Sequence, residues 1–272
     1  MKSLIIYFSA TGNTEFLCAL VAKGIKNRGD TCDVVSVRNT DAKTLSLDGY
    51  DIIGWAAPVF DWRPAIILKD FIGSVPQAKE KPAFILATAG GLLGNFYFIL
   101  ARWLRRKGFI PIAHHSMFCE DAWLPLRPAT ESDKIKKYVW GYGQPKQEWV
   151  DDSLKFGEYI APILEKYNRK ELKIPSYRFI LTPSYPLSLF YNHWFLTRFF
   201  KIDVDLNKCT KCMVCVKQCP TGKMRVESFP NQKGCCIGCY GCVNACPENA
   251  VNTYLTRGKV RYRGLDKSKY IF

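Results

Sequence analysis

Eight of the twelve cysteines fall into two copies of one spacing near the C-terminus. Each copy has three cysteines at intervals of three residues, and a fourth, four residues later, that is followed by proline. Three thiolates at this spacing wrap a tight loop around one face of a cubane, and the fourth leaves on a helical turn towards the neighbouring cluster. The pattern therefore predicts two [4Fe–4S] clusters.

The same spacing predicts which thiols share a cluster. We define the first cluster site as Cys209, Cys212, Cys215 and Cys246, and the second cluster site as Cys236, Cys239, Cys242 and Cys219. Structural zinc is the alternative, because it also takes paired thiolates. Zinc sites usually use two separated Cys-x-x-Cys knuckles, and they need neither the third cysteine nor the terminal Cys-Pro.

The remaining four cysteines lack this spacing. Cys18, Cys32 and Cys119 are isolated in the sequence, and we expect them to be buried small hydrophobic residues. Cys235 is out of register, since the residue three positions later is Gly238, and it is predicted to be a spare thiol.

A second group of chemically useful residues follows the first apolar run, at residues 4–8. The group comprises Ser9, Ala10, Thr11, Gly12, Asn13 and Thr14. Hydroxyls, an amide and free backbone N–H groups at the start of a helix can hold a phosphate dianion without Lys or Arg. A Walker loop and a dinucleotide fingerprint need other glycine and lysine patterns, which are not in this segment. An ordinary Ser/Thr helix cap is the alternative.

These six residues closely match the flavodoxin phosphate motif, and residues 1–168 resemble a flavodoxin. The resemblance implies FMN at the carboxyl ends of the strands. It also implies two ring-binding loops: Ala57, Pro58, Val59, Phe60, Asp61 and Trp62 after the third strand, and Thr88, Ala89, Gly90 and Gly91 after the fourth. Phe60 or Trp62 would stack on the ring or belong to the core. The second loop lacks the aromatic residue that many flavodoxins place over the outer ring face, so that face is open or covered by another segment.

The elements that must position these groups alternate along the chain. Strand patterns occur at 4–8, 32–37, 51–58, 83–88 and 109–118, and helix patterns at 14–26, 64–72, 96–107 and 148–166. This alternation predicts an α/β fold with a doubly wound, parallel, five-stranded sheet. The helix at 64–72 is expected to carry Pro64 in its first turn.

Three parts are predicted: a flavodoxin-like FMN-binding domain at 1–168, an extended connector at 169–202, and a small α+β ferredoxin-like dicluster domain with a basic tail at 203–272. Residues 203–256 resemble the two-cluster bacterial ferredoxins. The 272 residues together resemble the fused flavodoxin–ferredoxin proteins of anaerobic microbes.

The formal charge of +15 makes an acidic partner, a nucleic acid or an anionic membrane the candidates to consider. No RNA-binding or helix-turn-helix pattern supports nucleic acid. Two clusters and an FMN phosphate would reduce the charge to about +9, so we expect an acidic redox protein (a ferredoxin, flavodoxin or reductase) to be the partner. Two basic patches are candidates for its docking: Arg102, Arg105, Arg106 and Lys107, and Arg257, Lys259, Arg261 and Arg263, which alternate along a predicted strand.

Two apolar stretches could be mistaken for transmembrane segments. Residues 83–100 are uncharged but contain several glycines, so they divide into a strand, a loop and a helix start. Residues 177–200 are interrupted by prolines and charges, which argues against a transmembrane segment. A weak contact of this stretch with a membrane surface is the alternative. The start of the chain is too short in apolar residues for a signal peptide, and the expected location is a reducing cytoplasm.

These observations leave two hypotheses from different classes. The first is an electron-transfer protein that passes electrons between its clusters and FMN and exchanges them with a redox partner. The second is a cluster-fed, FMN-dependent reductase of a small molecule, which would need a proton donor over the flavin. Candidate donors by region are Tyr97, His114, His115, Glu120 and Asp121.

Overall fold

Five parallel strands form the central sheet of the N-terminal part. They are β1 (Lys2–Tyr7), β2 (Thr31–Ser36), β3 (Ile52–Phe60), β5 (Lys81–Ala89) and β6 (Phe109–Phe118), in the order β2-β1-β3-β5-β6. The computed structural model describes residues 1–122, 139, 141–181, 201–226, 230–232 and 236–272. The inner strands are apolar because both of their faces are covered by helices. The predicted doubly wound sheet is thereby confirmed.

Two helices cover each face of this sheet. α1 (Asn13–Asn27) and α4 (Gln147–Asn168) pack on one face, around the apolar side chains of Phe16 and Leu17. α2 (Ile66–Ser74) and α3 (Phe96–Arg106) lie on the other face, which contains the fully buried Trp55. This arrangement aims the N-terminus of α1 at the carboxyl edge of the sheet.

Pro64 does not begin a helix. It lies in β4 (Arg63–Pro64), a two-residue strand that pairs antiparallel with the end of β3. The chain reverses between the two strands at Asp61 and Trp62, which both have positive φ. Proline fits the end of a short edge strand because it has no N–H to donate, and α2 therefore starts two residues later than predicted.

The C-terminal part is built from short elements around the cysteines. Its elements are β7 (Asp203–Val204), α5 (Val214–Lys217), β8 (Met224–Val226), β9 (Pro230–Gln232), α6 (Gly241–Ala245), β10 (Val251–Asn252) and a 3₁₀ turn (Lys267–Lys269). β7 pairs antiparallel with β10, and β8 pairs antiparallel with β9. A small core here includes Val243, Ala250 and Val251 as well as several of the cysteines.

The basic C-terminal segment is not a strand, so the prediction that four cations share one face is wrong. Residues 257–263 form turns and irregular chain. Arg261 is buried, and its Nη2 donates to Asn252 Oδ1 at 2.5 Å. Arg263 Nη1 donates to the carbonyls of Asn244 and Cys246 at 2.7 and 2.8 Å. Arg263 turns inward because α6 ends in carbonyls that need donors, whereas Arg261 turns inward to acceptors of Val251 and Asn252.

The described part of the connector, 169–181, has no regular structure and runs along α3. Asn95 exchanges two hydrogen bonds with the backbone of Ile180, at 2.9 and 2.8 Å. The rest of the connector, at 182–200, lies outside the described residues. Among the helices that the structure describes, none is both long and apolar enough to cross a membrane.

The isolated cysteines lie where the sequence predicts. Cys18, Cys32 and Cys119 are all buried, and burial raises the pKa of each thiol. The position of Cys235 lies outside the described residues.

Candidate functional site

The phosphate loop connects β1 to α1 at the carboxyl edge of the sheet. Gly12 has a φ of 95° and its N–H donates to Ser9 Oγ at 3.1 Å, which closes the turn. α1 begins at the next residue, and the N–H groups of a first helical turn have no acceptors within the helix. These groups and the positive end of the helix dipole form a site for an anion.

Two side chains of this loop bind other parts of the protein. Asn13 Nδ2 donates to the carbonyl of Glu120 at 3.4 Å, and Asn13 Oδ1 accepts from the Tyr262 hydroxyl at 2.5 Å. Thr14 is buried, and its hydroxyl lies 2.7 Å from that of Thr88. Asn13 and Thr14 thus hold the loop in place, which leaves the Thr11 hydroxyl and the backbone N–H groups to bind a phosphate.

The two predicted ring-binding loops lie beside the phosphate loop. Phe60 makes an edge contact with the buried Phe8, with ring centroids 6.3 Å apart. The carbonyl of Trp62 accepts from the N–H of Asn95 at 3.1 Å, and its side chain lies against Gly94. Both aromatic residues are at the carboxyl edge, where a flavin ring would lie.

Two carboxyl groups lie at these loops. Asp121 packs so closely on Gly90 that a Cβ added to the glycine would be 2.8 Å from the Asp121 Cβ. Burial, with the nearby charge of Asp121, raises the pKa of Asp61 to about 6, although Arg63 opposes the shift. A carboxyl group with this pKa can give or take a proton near neutral pH.

The two histidine candidates are farther from the ring loops. His114 and His115 are in the middle of β6, about 10–13 Å before its end at 3.3 Å per residue. His115 bonds Ser153 at 2.9 Å, and burial lowers its pKa to about 4. His114 packs against Tyr97, with ring centroids 4.6 Å apart. Of the five candidates, Glu120 and Asp121 follow β6 at the carboxyl edge, and Tyr97 lies in the first turn of α3, which begins at the same edge.

The eight motif cysteines line two cavities. Cys209, Cys212, Cys215 and Cys246 line one cavity. Cys219, Cys236, Cys239 and Cys242 line another. Each cavity therefore combines three cysteines of one motif with the fourth of the other.

The described cysteines do not converge as the ligands of a single metal ion would. Four thiolates around one zinc ion, at Zn–S distances near 2.3 Å, would lie about 3.8 Å from one another. Among the described residues, no three thiol, imidazole or carboxylate groups converge in the way that such an ion requires. A ring of thiols around a cavity fits a cubane instead.

The environment of the thiols differs between positions. Burial raises the pKa of Cys215 to about 11 and that of Cys239 to about 12. Burial also acts to raise the pKa of Cys219, but hydrogen bonds from the Met224 N–H, at 3.4 Å, and from Thr221 outweigh it and lower the pKa. Thiolates in such buried positions need a bound cationic core to stabilise them.

The phosphate loop and the second cluster site are in contact. Arg38 Nη2 donates to the carbonyl of Ser9 at 3.0 Å, while Arg38 Nη1 donates to the carbonyl and side-chain oxygen of Gln218 at 2.9 and 2.8 Å. Gln218 directly precedes Cys219. Gly241 packs on the loop so closely that a Cβ there would be 3.3 Å from the Ala10 carbonyl oxygen. Sequence reasoning did not find Arg38 or Tyr262, because neither belongs to a local motif.

Comparisons with known proteins agree with this geometry. A flavodoxin domain model matches residues 4–91, and two 4Fe–4S binding domain models match residues 202–222 and 234–254. Pyruvate synthase subunit PorD of Methanocaldococcus jannaschii is 39% identical over 57 residues, a match that spans 20% of this chain and 66% of PorD.

Two of the solved structures that are similar to part of the chain are a flavodoxin and an oxidoreductase. A flavodoxin from the domain Archaea aligns with 61% of this chain and 99% of its own, at 16% identity and a TM-score of 0.43. The rubredoxin oxygen:oxidoreductase of Desulfovibrio gigas aligns with 60% of this chain and 36% of its own, at 15% identity and a TM-score of 0.46.

The chain is thus a fusion of a flavodoxin domain with two 4Fe–4S ferredoxin-type domains. Its cofactors are FMN and two [4Fe–4S] clusters, and its domains are those of electron transfer.

Proposed function

We propose that this protein passes electrons between its two [4Fe–4S] clusters and FMN and exchanges them with a redox partner. Clusters carry one electron at a time, whereas FMN carries one or two, so a fusion of both allows the two kinds of chemistry to be interconverted. The contact between Gly241 and the Ala10 carbonyl, beside Cys239 and Cys242, carries this proposal because it holds a cluster loop against the FMN phosphate loop.

The proposal assigns each group of site residues a role. The loop at 9–14 holds the phosphate, the loops at 57–61 and 88–91 hold the ring, and the cysteines of each cluster site bind one cluster. The corresponding units are the FMN-binding part at 1–168, the connector at 169–202 and the dicluster part at 203–272. A reducing cytoplasm is the compartment that suits these thiols.

We further propose that the partner is an acidic electron carrier that docks beside the first cluster site. Cys212 is exposed there, and Leu206 and Lys208, which come shortly before Cys209 in the chain, are exposed as well. Arg257 and Lys259 line the same groove as Lys208. The groove also contains Asp203, which forms an ion pair with Arg257, and Asp205, which forms an ion pair with Lys208. Basic residues outnumber the two carboxylates that line this groove, and such an excess of positive charge suits an acidic surface.

The other basic patch is poorly placed for electron exchange. Arg105 and Arg106 are in the last turn of α3, which begins at the carboxyl edge of the sheet. Eleven residues at 1.5 Å each put that last turn about 16 Å from the edge. The last turn of α3 therefore lies away from the FMN site at the carboxyl edge.

Stopped-flow mixing of the anaerobic holoprotein with a reduced acidic ferredoxin tests the proposal. We expect bleaching of the cluster absorbance and then of the flavin absorbance, with an association rate that falls steeply as salt rises. Lys208→Glu with Lys259→Glu should slow association, whereas Arg102→Glu with Arg106→Glu should not. Rates that are indifferent to salt and to the first pair would contradict docking at this face.

The reductase is retained as a second candidate because Asp61 and Asp121 place carboxyl groups at the ring loops. Oxidation of the reduced flavin by one class of small molecule alone would favour the reductase. Turnover with redox proteins and no small acceptor would favour the carrier.

A further inference from the structure

The phosphate loop has two sides that face different parts of the protein. A loop of this kind holds an anion with N–H groups that point inward, and this leaves its carbonyl groups on the outer side. The carbonyls of Ser9, Ala10 and Thr11 all meet groups from outside the loop. Arg38 donates to the first, Gly241 packs on the second, and Gly264 lies near the third, where an added Cβ would be 3.4 Å from the oxygen.

Most of these contacts come from the dicluster part. Gly241 is the first residue of α6, between Cys239 and Cys242, and Gly264 follows the inward-turned basic segment. Between these two glycines in the chain is Tyr262, which is buried and donates its hydroxyl proton to Asn13 at 2.5 Å. The outer side of the phosphate loop is therefore packed against the segments that build the second cluster site.

Arg38 extends the contact to the remaining ligand of that site. It follows β2 in the FMN-binding part, but its Nη1 donates twice to Gln218, the residue before Cys219. One guanidinium group thus joins the Ser9 carbonyl to the end of the first cysteine motif.

The end of the chain holds the same region from a third direction. Tyr270 and Phe272 both pack on Phe16 of α1, with ring centroids 5.5 Å away in each case. Gln147 of α4 exchanges hydrogen bonds with the backbone of Ile271 at 2.8 and 3.2 Å. The helix that presents the phosphate loop is therefore fixed by residues that follow the cluster motifs.

We propose that the dicluster part preorganises the FMN phosphate loop, with Tyr262 and Arg38 as positioning residues, so that FMN binding and the integrity of the second cluster site stabilise each other. A loop that is already ordered binds its ligand more tightly, because less conformational entropy is lost on binding. The coupling must be reciprocal: if an intact cluster loop favours FMN, FMN favours the intact loop by the same factor. This inference rests on the proposed FMN and cluster assignments.

The first test measures FMN affinity of the anaerobic, cluster-loaded protein by quenching of flavin fluorescence. Tyr262→Phe removes one hydrogen bond to Asn13, so we expect the Kd for FMN to rise about threefold to tenfold. Arg38→Gln removes charge-assisted bonds and should raise the Kd tenfold or more. Riboflavin, which has no phosphate, should be affected much less. Tyr254→Phe, at an exposed tyrosine, and Arg28→Gln, at an exposed arginine, are the matched controls.

The second test measures the reciprocal effect. An iron chelator is added to the protein with and without saturating FMN, and the loss of cluster absorbance is followed. FMN should slow the loss of one cluster in the parent protein, identified by its EPR signal, and should protect less in Tyr262→Phe. Riboflavin should protect less than FMN.

The outcomes distinguish the proposed coupling from the FMN and cluster assignments on which it rests. If Thr11→Ala weakens FMN binding but Tyr262→Phe and Arg38→Gln do not, and FMN leaves chelation unchanged, the coupling is refuted while the proposed function stands. If the parent protein holds neither FMN nor about eight irons per chain, both are refuted.

Discussion

Replacing Asp61 by Asn should stabilise the FMN-free protein at neutral pH and flatten its pH dependence. Burial, with the neighbouring Asp121, raises the pKa of this carboxyl from 3.8 to about 6 in the folded chain. Because the pKa is higher in the folded chain, the unfolded chain loses this proton first as the pH rises. The free energy of unfolding is therefore highest below about pH 4 and falls as the pH rises through 6. An amide has no such dependence.

The size of the effect follows from the same shift. Two pKa units at 1.36 kcal/mol each give a ceiling of about 3 kcal/mol at pH 7.5. Because Asp61 is only half-buried, screening by water reduces this, and we expect Asp61→Asn to gain about 1–2 kcal/mol there. Between pH 5 and 7.5, where the clusters can be kept intact, the parent should lose about 1 kcal/mol through this group.

Urea unfolding of the cluster-loaded, FMN-free protein measures this difference. The free energy of unfolding is determined at several pH values from pH 5 to 7.5, by tryptophan fluorescence, for the parent, Asp61→Asn and Asp70→Asn. Asp70 is exposed on α2 and controls for the loss of a surface carboxylate. Parallel curves for parent and Asp61→Asn, or a less stable Asp61→Asn variant at pH 7.5, would refute the reasoning.

The remaining predictions address the other sites. Cys219→Ser should disrupt the second cluster site despite its place in the first motif, and EPR-detected loss confined to the first site would contradict the crossed ligation. Thr11→Ala should raise the Kd for FMN about tenfold or more while leaving riboflavin binding nearly unchanged, since it removes a hydrogen bond to a dianion; equal losses for both ligands would place the phosphate elsewhere. Gly241→Val should raise the Kd for FMN and speed cluster loss, because the added Cβ would lie only 3.3 Å from the Ala10 carbonyl oxygen. Gly73→Val, at a position with open space, is its control, and equal behaviour of the two variants would argue against the contact.

Local patterns in the sequence were enough to predict the chemistry and the fold class. The Cys spacing predicts a dicluster protein because a cubane imposes its own geometry on a short loop. The alternation of apolar strands and amphipathic helices predicts the parallel sheet because both faces of each strand must be covered. The boundaries of β6, at Phe109–Phe118, agree with the predicted strand.

Failures of prediction occur where a neighbour distant in sequence changes the local preference. Pro64 is typical of a first helical turn, but the extension of β3 to Phe60 draws it into a strand. The sequence predicts that Arg261 and Arg263 lie on a solvated basic face, but Arg263 donates to carbonyls of the second motif and Arg261 donates to the side chain of Asn252. A local pattern cannot show which distant acceptors lack a donor.

The tertiary structure alone decided how the two halves of the chain meet. Tyr262 is 249 residues from Asn13, and Gln218 is 180 residues from Arg38, yet each pair is joined by a hydrogen bond. Such pairs have no spacing or period that a single sequence could show, because they depend on how two separately patterned units pack together. The sequence by itself determined the FMN and cluster motifs, whereas the packing of the two units determined that the second cluster loop lies against the phosphate loop.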